Sequence, residues 1–412
     1  MKTLPLRLYS LFLSVILLLT ACAGVPDGTE PSSSTEATVP TQAPTQTSTQ
    51  PPETEPADPL EALLDRMTLR EKVGQLFIVR PDALDPSLSA EQIDDSGAPG
   101  VTALSDAMAE TLRQYPVGGI AHFAKNLVSP EQITRFNQEL QEASGIPLFL
   151  CVDEEGGPVA RLANHKAFNL PRYKNAAAIS SETEALDMGR TIGSYLAEYG
   201  FNLDFAPVAD VNTNPANPVI GTRAFSSDPE TAAALASAMA QGLREKGILA
   251  VFKHFPGHGD TAEDSHSGIA VTYKTSEEMD TCEWLPFRQA GSGDLIMVGH
   301  IAAPNITGDL TPATLSRQIV TGILRETLGF EGLIITDSLT MGAVIQSYSS
   351  GEAAVAALRA GCDLLLMPEN LGEAFGAVIA AVEDGTYPEE ALNETVLRIL
   401  RFKQAQGLLS LS

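Results

Sequence analysis

The feature that most constrains this chain is a series of short apolar runs spaced along it. They lie near Gly74–Val79, Gly118–Phe123, Pro147–Val152, Leu203–Val208, Ile248–Phe252, Asp294–Val298, Gly332–Thr336 and Asp363–Met367. Most are continuous rather than alternating, as in strands buried on both faces. Between and after them come helix-like segments: Ser129–Ala143, Ser181–Tyr199, Pro229–Glu245, Thr314–Leu328, Gly351–Ala360, Glu369–Asp384 and Glu389–Gln406. Strands alternating with helices imply a parallel sheet of the α/β class. Eight strands predict closure into a (β/α)8 TIM-type barrel, with an open doubly wound sheet as the alternative. The entry is a capping box, Thr68 followed by Glu71, ahead of the first run. Two segments exceed a minimal barrel: Asp82–Gly100 after the first strand and Asn212–Asp228 after the fourth. There is no internal repeat, and residues 59–412 are expected to form a single catalytic domain.

The chain before the barrel reads differently. Lys2 and Arg7 precede an apolar run from Leu8 to Leu19, and Leu19-Thr20-Ala21-Cys22 follows. A positive start, an apolar segment too short for an ordinary membrane span and small residues before a cut describe an export signal over residues 1–21. The cysteine after Leu-Thr-Ala resembles the lipobox of bacterial lipoproteins. That resemblance implies cleavage before Cys22 and lipid on it, so the protein is expected on the extracytoplasmic face of the cell membrane, held by a lipid anchor only. Residues 23–58 contain no aromatic, Leu, Ile, Lys or Arg and are rich in Thr, Ser, Pro, Gln and Glu. Such a segment buries too little apolar surface to offset its ordering entropy, so residues 22–58 are expected to be a disordered tether. As a flexible coil it spans on the order of 35 Å.

Loss of Lys2 and Arg7 with the leader takes the formal net charge from −26 to −28. A surface that acidic argues against nucleic acid as a partner. The remaining cysteines, Cys151, Cys282 and Cys362, form neither an even disulfide set nor a Cys-x-x-Cys pair. Cys151 and Cys362 sit in or beside apolar runs and read as small buried hydrophobes.

Chemistry collects at the strand ends. The third strand runs into Asp153-Glu154-Glu155-Gly156-Gly157, with Arg161 behind it. The fourth ends in Asp210 and leads to Arg223, the sixth ends in His300, and the seventh delivers Asp337. The fifth opens onto Lys253–Gly268, KHFPGHGDTAEDSHSG, which combines carboxylates, three histidines and a lysine. A charged residue after one strand is ordinarily just solvated. Several on one barrel face describe a pocket of carboxylates, histidines and cations, suited to an uncharged polyhydroxylated ligand.

The run KHFPGHGDTAEDSH resembles the signature of the glycoside hydrolase family 3 β-N-acetylglucosaminidases. So do DEEGGPVARL (Asp153–Leu162), FAPVADVN (Phe205–Asn212), RAFSSDP (Arg223–Pro229) and IITDSLTMGA (Ile334–Ala343). The resemblance implies Asp337 as catalytic nucleophile and His266 as general acid/base with Asp264 as its partner. It implies Asp153, Arg161, Arg223, Lys253 and His254 as substrate-binding residues. The activity it implies is a retaining exo-β-N-acetylglucosaminidase that removes non-reducing-end GlcNAc from peptidoglycan-derived or related glycans; no cofactor or metal is expected, and the chain is expected to be a monomer. An imidazole suits the acid role because its pKa lies near neutrality, and Asp264 two residues away can fix its tautomer. The neighbouring glycines are expected to let the loop move, bringing His266 to the site when sugar is bound.

Three alternatives stand beside that reading. Phosphate could replace water as acceptor, giving a GlcNAc phosphorylase on the same scaffold. The barrel could be a non-catalytic sugar-binding lipoprotein, although no catalytic residue is missing. His254, His258, Asp260, Asp264 and His266 could hold zinc in a metal hydrolase. Zinc would leave Asp337 and the two arginines unexplained, and His258 and Asp260 are instead expected to brace the loop.

Overall fold

The structure is a computed structural model, and it describes residues 58–263 and 268–411. The chain divides into two units, Met1–Glu55 and Pro56–Ser412, and the described residues all belong to the second. Cys22, the leader, the tether, Asp264 and His266 lie outside them.

The eight apolar runs form the barrel strands: β1 Phe77–Val79, β2 Gly119–His122, β3 Phe149–Val152, β4 Leu203–Asp204, β5 Leu249–Phe255, β6 Leu295–Val298, β7 Leu333–Thr336 and β8 Leu365–Leu366. Each pairs in parallel with its neighbour in sequence, from β1 through β7, and β8 pairs with β1. A parallel bridge between Ile335 and Leu364 joins β7 to β8, and the Thr336 amide donates to the Leu364 carbonyl at 3.0 Å. The barrel therefore closes, and the open-sheet alternative falls. Every residue of these strands is buried. This is why the runs are continuous: one face meets the barrel interior and the other the helices.

Helices form where the sequence placed them, at Pro130–Ala143, Glu182–Glu198, Pro229–Arg244, Ser350–Ala360, Leu371–Glu383 and Glu389–Ala405. Five of these six starts carry a side-chain cap that satisfies an orphan amide: Ser129, Ser181, Asp228, Ser349 and Asn370 accept from the third helical residue. The Thr68–Glu71 capping box is present and starts a helix over Leu69–Gly74, so the first strand begins only at Phe77, not at Gly74. The expected single helix over Thr314–Leu328 is instead a 3-10 turn, Ala313–Leu315, and a wide π-type helix, Gln318–Thr327, whose i−5 bonding shows in the Leu328 amide donating to the Ile323 carbonyl at 2.8 Å. Among helices of eight residues or more, two had no expectation, Pro59–Arg66 and Asp106–Gln114. The second buries only Met108 and Leu112, too weak a stripe to read against its polar surroundings.

Beneath the barrel, Lys403 is fully buried. Its Nζ donates to Gln75 Oε1 at 2.9 Å and the Gly118 carbonyl at 3.2 Å, and lies 4.7 Å from the Phe149 ring centroid. Burial lowers its pKa to about 7, so this lysine braces the closed end as much by shape and hydrogen bonds as by charge. Cys151 and Cys362 are buried free thiols, as expected.

Candidate active site

At the C-terminal ends of the strands a cavity of about 430 Å³ opens, within the roughly 300–1,000 Å³ of small-molecule sites. Asp153, Arg161, Arg223, Lys253, His254 and Asp337 all line it. Six of the eight expected catalytic and binding residues thus converge from β3, β4, β5 and β7. The other two, Asp264 and His266, lie outside the described residues.

The β3 end folds into a hairpin, Glu154–Gly156 with Val159–Ala160. Gly156 and Gly157 have φ of 77° and 87°, a turn that side-chain-bearing residues rarely adopt. Glu154 points away from the cavity. Its carboxylate accepts from the Leu162 amide (2.8 Å), the Ala163 amide (2.9 Å) and the Tyr195 hydroxyl (2.8 Å). Those bonds fix the backbone immediately after Arg161 and so aim its guanidinium, which donates to Asp153 Oδ2 at 3.2 Å. Burial raises the carboxyl pKa of Glu154, and raises that of its neighbour Asp204, which accepts from the Glu154 amide at 2.8 Å.

Asp153 and Glu155 flank Glu154 and both face the cavity, as i and i+2 on an extended chain should. Lys253 joins them: its Nζ donates to Asp153 Oδ1 at 2.8 Å and pairs with Glu155 Oε1 at 2.7 Å. Arg223 forks onto Glu155, Nε to Oε2 at 2.9 Å and Nη2 to Oε1 at 2.7 Å. Burial alone would raise both carboxylates. Lys253 and Arg161 overcome it at Asp153 and hold that group far below the usual range. Lys253 and Arg223 likewise outweigh burial at Glu155 and lower its pKa. Burial would likewise lower Lys253, and the two carboxylates reverse that and raise it. The network is thus held together by ion pairs among its own members. Glu155 was not among the expected site residues.

On β5 the register shifts between Lys253 and Phe255 relative to β6, an irregularity of the kind that re-aims side chains. Two consecutive residues, Lys253 and His254, consequently both line the cavity. His254 Nδ1 meets Asp210 Oδ2 at 2.7 Å; a carboxylate only accepts, so Nδ1 carries the proton and Nε2 is the nitrogen turned over to other partners. Asp210 also accepts the His258 amide at 2.7 Å through Oδ1. Burial would raise Asp210, and the two histidines outweigh it and lower its pKa. Asp210 is thus a positioning residue.

His258 and Asp260 do brace the loop. Thr261 Oγ1 lies 2.7 Å from His258 Nδ1, and Thr272 Oγ1 donates to Asp260 Oδ2 at 2.7 Å, tying the two ends of the 261–271 segment. His258 does more than brace, since it also lines the cavity. The glycines on either side of it sit where other chain segments approach closely. A Cβ at Gly259 would sit 1.8 Å from the Val211 carbonyl oxygen, and one at Gly257 would sit 2.6 Å from Glu283 Cγ.

Asp337 follows β7 and is half-buried. Its amide donates to the Val298 carbonyl (2.8 Å), and its Oδ1 accepts from the Ser338 amide (2.7 Å). His300 does not line the cavity. Its Nε2 donates to the Ser338 carbonyl at 2.8 Å, and its Nδ1 lies 2.7 Å from Thr314 Oγ1. It holds the turn behind Asp337 from below. Apolar groups complete the wall: Phe123, Phe205, Met297, Met341, Leu366 and Met367. Fixed charges of both signs above apolar patches match a ligand with many hydroxyls and exposed C–H faces.

A closed (β/α)8 barrel with such a cavity at its strand ends has the architecture of the barrel enzymes, which place their chemistry on that face. The profile of the glycosyl hydrolase family 3 N-terminal domain matches residues 68–402. β-Hexosaminidase LpqI of Mycobacterium tuberculosis is 33% identical over 415 residues, covering 96% of this chain and 97% of that protein. β-Hexosaminidase A of Pseudoalteromonas piscicida is 33% identical over 333 residues, covering 74% of this chain, which spans 56% of that longer protein. Among solved structures, the family 3 β-N-acetylglucosaminidase of a Paenibacillus species superposes with a TM-score of 0.75 at 35% identity, over 84% of this chain and 65% of that one. The chain belongs to glycosyl hydrolase family 3 and is a glycoside hydrolase.

Proposed function

We propose that this enzyme is a retaining exo-β-N-acetylglucosaminidase that removes non-reducing-end GlcNAc from peptidoglycan-derived or related glycans. In this reading it acts outside the cytoplasm, tethered by lipid at Cys22. The observation that carries the reading is that Asp337 lines the same cavity as the Asp153–Lys253–Glu155–Arg223 network. Relatives named as β-hexosaminidases support the choice of sugar.

The chemistry follows from these groups. The network grips the ring hydroxyls, with the carboxylates accepting and the lysine and arginines donating. Asp337 attacks the anomeric carbon as a carboxylate; the bond from that carbon to the leaving oxygen breaks, and His266 gives the oxygen its proton. Water then attacks the glycosyl ester, His266 takes back a proton, and Asp337 leaves as a carboxylate. Asp264 keeps the imidazole in one tautomer through both steps.

Two experiments test this. Aryl β-GlcNAc should be turned over at least about 10-fold faster, as kcat/KM, than aryl β-glucose, the discrimination a fitted pocket gives to a missing group. Equal turnover of the two would refute the choice of GlcNAc. His266→Ala should lose activity steeply as the leaving group becomes more basic, about 10²–10⁴-fold on an alkyl glycoside and far less on an activated aryl one. Equal losses on both would remove His266 from the acid role.

A further inference from the structure

We propose that Asp94 is a further sugar-binding residue of this cavity, set in place by Arg80, and that it selects a neutral hydroxyl at its position over an anionic group. The proposal rests on the glycosidase reading of the cavity.

Asp94 ends the short helix Ala90–Asp94, within the 82–100 insertion that lies outside the minimal barrel. Yet Arg80 and Asp94 line the same cavity as Asp153 and Asp337. The insertion is built in, not draped over. Lys125 Nζ donates to the carbonyls of Gln92, Ile93 and Asp95 at 3.0, 2.8 and 3.2 Å. At its root, the buried Asp82 accepts from the Val101 amide at 3.1 Å and from Asn126 Nδ2 at 2.7 Å. A segment fixed at both places loses little further freedom when a ligand binds, so its contacts count toward affinity.

Arg80 is fully occupied in positioning. Its Nη1 donates to the Ile93 carbonyl at 2.8 Å, its Nη2 pairs with Asp94 Oδ1 at 3.0 Å, its Nε lies 3.4 Å from Met367 Sδ, and its guanidinium stacks 4.6 Å from the Phe123 centroid. Asp94 is not occupied in the same way. Only Oδ1 is engaged among the described residues, and the side chain stays 53% exposed at the cavity wall. A half-exposed ion pair contributes little to stability, so holding the loop does not account for it. An ionised carboxylate accepts hydrogen bonds and donates none. It matches a sugar hydroxyl and repels a carboxylate or phosphate. Phe123 stands between this pair and Arg161, which lies 5.5 Å from the same ring, so the wall from Asp94 to Asp153 is continuous.

The test uses full-length enzyme, Asp94→Ala, Asp94→Asn and Arg80→Lys, with aryl β-GlcNAc and its 4-deoxy and 6-deoxy analogues. Asp94→Ala should raise KM roughly 10-fold, with the loss falling mainly on KM, as for an interaction shared by ground and transition states. Asp94→Asn and Arg80→Lys should shift KM the same way by smaller factors. Against one deoxy analogue the wild type should lose the same factor and Asp94→Ala nothing more. The proposal is overturned if Asp94→Ala leaves KM within twofold, or if wild type and variant lose equally on both analogues. Unchanged melting of Asp94→Ala separates misfolding from lost binding. Should the wild type fail to cleave aryl β-GlcNAc, the choice of GlcNAc as substrate falls. Calorimetric titration of GlcNAc and its deoxy analogues into the same proteins then decides the Asp94 contact by the same pattern.

Discussion

Replacing Asp337 by alanine is expected to cut turnover of aryl β-GlcNAc by at least about 10⁴-fold, the scale seen when a nucleophile that works within a unit is removed. The fold should survive, because Asp337 is half-buried and its side chain accepts locally from the Ser338 amide. The turn itself is held by the backbone bond to Val298 and by His300 against the Ser338 carbonyl, neither of which uses the Asp337 side chain. Sugar binding should also persist, since Lys253, Glu155 and Arg223 are untouched. The measurement is kcat beside a binding isotherm for GlcNAc. Retained turnover would take Asp337 out of the mechanism. Lost binding together with lost turnover would point to collapse of the cavity.

The second large effect concerns stability. Lys253→Met is expected to destabilise the enzyme by about 3–5 kcal/mol at pH 7, the cost of stranding buried charge. The lysine is nearly buried, and so are its partners, with side-chain exposures of 3% for Lys253, 17% for Asp153 and 3% for Glu155. Arg161 and Arg223 remain, so the lower end of that range is expected. The effect has a definite pH dependence. Asp153 and Glu155 have folded pKa values below their unfolded ones. Their contribution is therefore complete above the unfolded carboxylate pKa and lost as pH falls through the folded values. In the variant the largest influence that lowers both groups, Lys253, is gone, so their pKa values rise and they take up protons at higher pH than in the wild type, which relieves the stranded charge. The gap between wild type and variant should be widest near neutrality and narrow below about pH 4. Urea unfolding of both proteins across that range is the check, and a gap independent of pH would show that lost packing, not charge, is responsible.

How far the sequence carried the reading depends on the kind of signal each residue leaves. The strands were legible because a strand buried on both faces must be continuously apolar, and few other elements are that short and that greasy. Capped helices were legible for a similar reason, as Ser129 and Asp228 show. Asp337, Lys253 and His254 were legible because each directly follows or ends an apolar run. Glu155 was passed over although the signal existed. In Asp153-Glu154-Glu155 the period of two puts the outer pair on one side, and the middle residue turns inward to Tyr195. Arg80 carried the mark of a charged residue directly after an apolar run and was passed over, whereas Asp94 left none, since an insertion has no period and only the folded chain brings it back beside β1. His300 misled in the other direction: a polar residue at a strand end reads as part of a site, and Thr314, from a distant turn, is what draws it below the floor. The π-type helix over Gln318–Thr327 has the apolar spacing of an ordinary helix, so composition could not distinguish it.

The account turns on a covalent exchange at Asp337, and stereochemistry reports it directly. Proton NMR of aryl β-GlcNAc hydrolysis, followed from the first turnover, resolves the anomeric signal of released GlcNAc before it mutarotates. Two successive displacements, by Asp337 and then by water, give the β anomer first, with α appearing only as the sugar equilibrates. An α anomer formed first would mean one direct attack by water, and would contradict the glycosyl-Asp337 intermediate.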